Sequence, residues 1–159
     1  MITRIFDTLD KILRGIVVGL VLFMLAALAL QVAMRYVANS PLAWSEELAL
    51  LAFSWVVLLS TALGIRNATH ARLAVWDNLL PRAIVRLLNG LIALAIAGFG
   101  LYLTIGGLDY AQMSLGMTSA AIAYPMVWLN VSAPVCGVLL ILFALEQVYM
   151  QIGGRATHE

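Results

Sequence analysis

The chain has 159 residues, 64% hydrophobic and 11% charged, with a formal net charge of +1 and a mean hydropathy of +1.01. A soluble domain carries about 25% charged residues and needs a polar surface around its core, so this composition excludes a soluble globule and points to an integral membrane protein. The near-neutral balance also excludes the basic footprint of a nucleic-acid partner.

Taken in order, residues 1–14 form an amphipathic leader. Ile2, Ile5, Phe6, Leu9, Ile12 and Leu13 recur at helical spacing, with Arg4, Asp7, Lys11 and Arg14 between them. Four apolar runs follow, at roughly 15–36, 44–65, 84–107 and 125–149. Each is long enough for a helix to cross a hydrocarbon core of about 30 Å. The first run is too long for a signal-peptide core and no small-x-small cleavage site follows it, so it is expected to remain as an anchor. Asn39-Ser40-Pro41 reads as a helix start, with Ser40 as N-cap and the proline at the first helical position. Residues 70–80 are too short and polar to span and read as an interfacial helix ended by Pro81. Residues 109–124 form a polar outer segment, and Pro134 is expected to kink the fourth span. The expected fold is a single all-α membrane domain over residues 1–159, with four transmembrane helices and short amphipathic interfacial helices.

Basic residues set the expected orientation. Arg4, Lys11, Arg14, Arg66, Arg72, Arg82, Arg86 and Arg155 lie on one side of these spans and Arg35 alone lies on the other. The positive-inside rule then makes both termini cytoplasmic. Tyr36, Trp44, Tyr110, Tyr124 and Trp128 fit an outer aromatic belt and Trp76 an inner one.

Apolarity cannot drive helices together in lipid, so small and polar stripes mark the expected packing faces. Span three offers Asn89, Ala93, Ala97, Gly100, Thr104 and Gly107; span four offers Asn130, Ala133, Gly137 and Ala144. Span one has Gly15, Gly19, Ala26 and Ala33, and span two has Glu47, Ser54 and Thr61.

Chemistry-bearing residues are few. His70 and His158 both fall outside the spans, which disfavours a bis-histidine haem anchor, and the lone Cys136 has no disulfide partner. No catalytic, cofactor-binding or metal-ligating constellation is visible. The span interiors lack the carboxylates and cations that pumps and coupled transporters place at mid-depth. What remains is Arg35 facing Glu46 and Glu47 across the outer ends of spans one and two, beside Trp44. An Arg35–Glu ion pair is expected to staple those two ends at the water boundary.

Arg35-Tyr36, Asn39-Ser40-Pro41, Trp44-Ser45-Glu46-Glu47, Trp55, Gly64 and His70 follow one another in an order that resembles a known family, and so does the later run Ser119-Ala120-Ala121-Ile122-Ala123-Tyr124-Pro125-Met126 with Trp128 and Pro134. The family is the small membrane subunit, or DctQ-type Q component, of the TRAP (tripartite ATP-independent periplasmic) transporters. The resemblance implies a non-enzymatic scaffold in the bacterial inner membrane, bounded by lipid and paired with a large M subunit. That M subunit would carry the substrate and sodium sites and move as an elevator, while a periplasmic binding protein, P, delivers an organic acid. No cofactor is implied in this chain. The alternatives are a stand-alone small four-helix transporter, disfavoured by the absence of a mid-span carboxylate, and a membrane anchor of a redox enzyme.

Overall fold

The structure, a computed structural model, describes residues 2–40, 42–76 and 82–153. The described residues are largely helical; the turns and loops between helices include one isolated bridge, between Thr118 and Pro125. The elements are α1 (Ile2–Val37), α2 (Ala43–Trp76), α3 (Arg82–Met113), the short α4 (Val127–Asn130) and α5 (Ser132–Gly153). Four segments are long and apolar enough to cross a membrane: Phe6–Val37, Ala43–Asn67, Leu87–Met113 and Val127–Tyr149.

Leader and first span are one continuous helix, and α1 ends where Asn39 turns left-handed, with φ 49°, and the Ser40 N–H bonds the Met34 carbonyl. The helix that follows starts at Ala43, later than the Ser40 cap implies; Pro41 lies outside the described residues. Ser45, fully buried, turns its hydroxyl back onto the Leu42 carbonyl at 2.7 Å. A separate interfacial helix at 70–80 is not seen, because α2 runs unbroken to Trp76; residues 77–80 lie outside the described residues, as does the Trp76 side chain. Nothing in Gly64-Ile65-Arg66-Asn67 breaks a helix, so span and polar continuation share one axis.

The fourth span is interrupted at Val131, between α4 and α5. Proline at 134 explains the position: it has no N–H for the Asn130 carbonyl, and its ring crowds that same carbonyl one turn earlier. Val131 keeps helical angles, φ −64° and ψ −20°, so the helical path continues and what lapses is the hydrogen-bond ladder one turn before the proline.

The helices pack mainly α1 on α2, α2 on α5 and α5 on α3, which gives a row with α1 and α3 at its edges. Leu59, Ala62 and Leu63 of α2 meet Cys136, Leu140 and Phe143 of α5, with Leu13 of α1 closing one side. Of α1's described side chains, Asp10, Leu13 and Ala27 alone are buried. The row has two ends. The loop end holds residues 38–40, 42 and 114–126, and the terminal end holds residues 2–14, the last turns of α2 and the last turns of α5.

Candidate functional site

At the loop end, residues 117–126 fold into a small hairpin. The Ser119 N–H donates to the Tyr124 carbonyl at 2.9 Å and the Met126 N–H to the Met117 carbonyl at 3.0 Å. Gly116, with φ +85°, takes the left-handed turn that leads into it. The tip of this hairpin closes on one carboxylate. The Ser119 hydroxyl donates to Glu47 Oε2 at 2.6 Å, the Ile122 N–H to the same oxygen at 3.0 Å, and the Ala121 N–H to Oε1 at 2.7 Å. A carboxylate is an acceptor of about four lone-pair sites, so it suits a tip that turns three donors toward it. Burial, with the Glu47 charge beside it, raises the Tyr124 phenol above its ordinary value. Behind the hairpin, Asn130 Nδ2 donates to Ser114 Oγ at 2.5 Å, and that hydroxyl donates to the Tyr110 carbonyl at 2.8 Å. A cleft of about 340 Å³ opens beside the clasp, walled by Glu47, Leu50, Ser54, Thr118, Tyr124 and Leu129.

This arrangement replaces the expected staple. Among the described residues no ion pair joins Arg35 to Glu46 or Glu47; Arg35, Trp44 and Glu46 are exposed. The reason is helical phase. Glu47 lies three turns before Leu58, on the face of α2 that meets α5, where the Leu58 carbonyl accepts the Cys136 S–H at 3.2 Å. Residue 47 is thus turned toward the hairpin and away from α1.

The terminal end holds a second and larger clasp, which joins α1, α2 and α5. Arg66 donates through Nε to Glu146 Oε2 at 2.9 Å and through Nη2 to Glu146 Oε1 at 2.8 Å, a bidentate fork. The same guanidinium reaches Asp7 Oδ1 at 2.8 Å and Asp10 Oδ1 at 3.4 Å, and lies 5.8 Å from the centroid of the Phe143 ring. Asp10 is held in turn by Arg14 at 2.6 Å, and Arg14 donates to Asn67 Oδ1 at 2.7 Å. Arg66 is 8% exposed and Glu146 3%. Two charges this deeply enclosed are tolerated because each is paired and hydrogen-bonded. Asp7 and Arg66 enter the sequence reading only as a leader charge and an orientation charge, Asp10 and Glu146 not at all, and none of the four is expected there to form a site. A signal was present: Arg66 continues the buried stripe Leu59–Ala62–Leu63 by one turn, and Glu146 continues Leu139–Leu140–Phe143 in the same way.

Between the clasps the helices meet through small residues. Ala93 is buried, and Gly100, Thr104 and Gly107 of α3 face α5, with Asn89 half-buried one turn before Ala93. A Cβ at Gly137 would strike the Thr104 hydroxyl and come within 2.6 Å of the Gly100 carbonyl; one at Gly107 would come within 2.6 Å of Pro134 Cδ. Gly15 and Gly19 of α1 face open space instead, and the Thr61 hydroxyl bonds its own helix at the Val57 carbonyl. Trp55 Nε1 donates to the Trp128 carbonyl at 3.0 Å, which ties α4 to α2.

Residues 24–154 match the family described as the DctQ component of the tripartite ATP-independent periplasmic transporters. The chain belongs to the DctQ family. Like other DctQ subunits it is a multi-pass protein of the bacterial inner membrane, and a transporter component, not an enzyme. It is 29% identical over 150 residues to the sialic acid TRAP transporter small permease protein SiaQ of Vibrio cholerae serotype O1, covering 94% of this chain and 84% of that one. It is 32% identical over 105 residues to the C4-dicarboxylate TRAP transporter small permease protein DctQ of the same organism, covering 65% and 44%. A third similarity, 36% over 66 residues, is to the sialic acid TRAP transporter permease protein SiaT of Haemophilus influenzae. It spans 42% of this chain but 11% of that permease, so a segment like this one sits there in a far longer polypeptide. A large membrane partner is therefore part of the DctQ setting.

Proposed function

We propose that this DctQ chain is the fixed scaffold subunit of a sodium-coupled TRAP transporter. It holds the stationary part of a large M subunit while that subunit takes up an organic acid delivered by a periplasmic binding protein. The observation that carries the reading is the placement of charge. Asp, Glu, Lys and Arg residues of the described spans lie toward the two ends, some of them in the Glu47 clasp and the Arg66–Glu146 clasp and others, such as Arg35, Glu46 and Asp109, outside both. Coupled transporters need ionisable groups along a mid-depth path, and these helices hold apolar and small side chains there. Sodium and substrate then bind in the partner. Sialic acid and C4-dicarboxylates, from the names of the relatives, are the first acids to try. Both termini face the cytoplasm in this reading, which puts the Arg66 clasp inside and the hairpin outside, facing the periplasmic protein.

The test is reconstitution. The large subunit and the binding protein are placed in liposomes with and without this chain, and uptake of each acid is followed under an inward sodium gradient. Uptake should require all three proteins. Transport by this chain alone, or full uptake without it, would refute the scaffold role.

A further inference from the structure

Among the described residues, the polar aromatic side chains are almost all accounted for. Tyr36, Trp44, Tyr110, Tyr124 and Trp128 lie at the loop end and Tyr149 at the terminal end, where the headgroup region accepts a hydroxyl or an indole N–H. Trp55 lies within its span, and its N–H is capped by the Trp128 carbonyl. Tyr102 is the exception. It is 75% exposed in the middle of α3.

Its depth follows from α5. Gly137 packs against Gly100 and Thr104, the residues on either side of Tyr102, and lies nine residues before Glu146. At about 1.5 Å per residue that puts Tyr102 about 14 Å from the Arg66–Glu146 level. The two charged levels are about 28 Å apart along α2, from Glu47 to Arg66, by the same rise. Tyr102 therefore sits at the midplane, farther from either surface than a tyrosine can reach by snorkelling. A hydroxyl facing hydrocarbon has nothing to hydrogen-bond. Serine and threonine escape by folding back on their own helix, as Thr61 does onto Val57, but a phenol extends away from its backbone and has no such recourse.

We propose that the α3 face around Tyr102 is covered by the large permease subunit, which presents a hydrogen-bond acceptor to the Tyr102 hydroxyl at the bilayer midplane. This rests on the scaffold reading and adds to it the face that docks. One turn away on either side, Gly98 and Gly106 leave room for a partner's backbone to approach. A second copy of this chain is a poorer occupant. Two phenols facing each other across a two-fold axis share one hydrogen bond and leave one hydroxyl hydrogen without an acceptor.

The experiment uses the complex of this chain with its large subunit, purified after co-expression. Tyr102→p-benzoylphenylalanine is irradiated in the membrane; the expected product is a covalent adduct of this chain with the large subunit. In parallel, Tyr102→Phe keeps the ring and removes the donor. It should weaken association by about threefold, the size of a typical interhelical hydrogen bond in a membrane, while Tyr36→Phe at the loop end leaves it unchanged. A photo-adduct with a second copy of this chain, or with lipid only, in a complex that still co-purifies would overturn the proposal and leave the scaffold reading intact. So would an unchanged association for Tyr102→Phe. Failure of the wild-type chains to co-purify would overturn both.

Discussion

Removing Arg66 should be more damaging than removing its partner, and the asymmetry can be worked from the clasp. In Arg66→Met, the Glu146 carboxylate, 3% exposed, loses both of its hydrogen bonds, at 2.9 and 2.8 Å, and no other cation in the clasp reaches it. Asp10 keeps Arg14 and Asp7 is 60% exposed, so neither is orphaned. Leaving a buried charge unpaired costs about 3–5 kcal/mol. In Glu146→Leu, Arg66 still has Asp7 at 2.8 Å and Asp10 at 3.4 Å. The loss there is two charge-assisted bonds, partly offset by the methyl groups gained, or about 1.5–3 kcal/mol. In Arg66→Met with Glu146→Leu no buried charge is left unpaired, since Asp10 keeps Arg14, and stability should return to within about 1 kcal/mol of the parent. The assay is helix loss by circular dichroism as the detergent-solubilised chain is titrated with a denaturing detergent, with the three variants read as a double-mutant cycle. If Arg66→Met costs no more than Glu146→Leu, or if the double variant is as unstable as Arg66→Met, the account of the clasp is wrong.

Glu47→Ala should release the hairpin, so amide hydrogens of Ala121 and Ile122 exchange faster while those of α5 do not change; Glu47→Gln should show a partial effect, because one carbonyl oxygen remains to accept. Gly137→Val should separate α3 from α5 and destabilise the chain by about 2 kcal/mol or more, whereas Gly19→Ala, which faces open space, should be neutral or slightly stabilising in the same unfolding titration. Arg35→Ala should leave folding unchanged to within about 0.5 kcal/mol, since no ion pair holds it to α2. A large loss in that variant would restore the Arg35 staple.

Four spans are legible in the chain because a hydrocarbon core demands long apolar runs, and nothing else in the sequence competes with that signal. Element ends are less legible. Pro134 announces a break but not its place, since the group that loses its partner is the Asn130 carbonyl a full turn earlier. Glu47 shows the same limit for the site. Its neighbours in sequence suggest Arg35 across a short loop, yet the helical phase of α2 turns it toward residues some seventy positions on. Arg66 and Glu146 are separated by a comparable stretch, and each reads alone as a charge at a span boundary. Extending the buried stripes of α2 and α5 by one turn would have paired them; counting charges at boundaries could not.

The two clasps also fix a length. Glu47 and Arg66 stand on one rigid helix, about 28 Å apart at about 1.5 Å per residue. Neither can slide inward without taking a bound charge into hydrocarbon, and neither can move outward without breaking ties to other elements. The chain therefore acts as a gauge for the lipid around it. A bilayer of longer acyl chains must thin where it meets this protein, at a cost of fractions of a kcal/mol per Å of mismatch. A neighbour that shuttles across the membrane would then do so beside a boundary of constant thickness, whatever the composition of the bulk lipid.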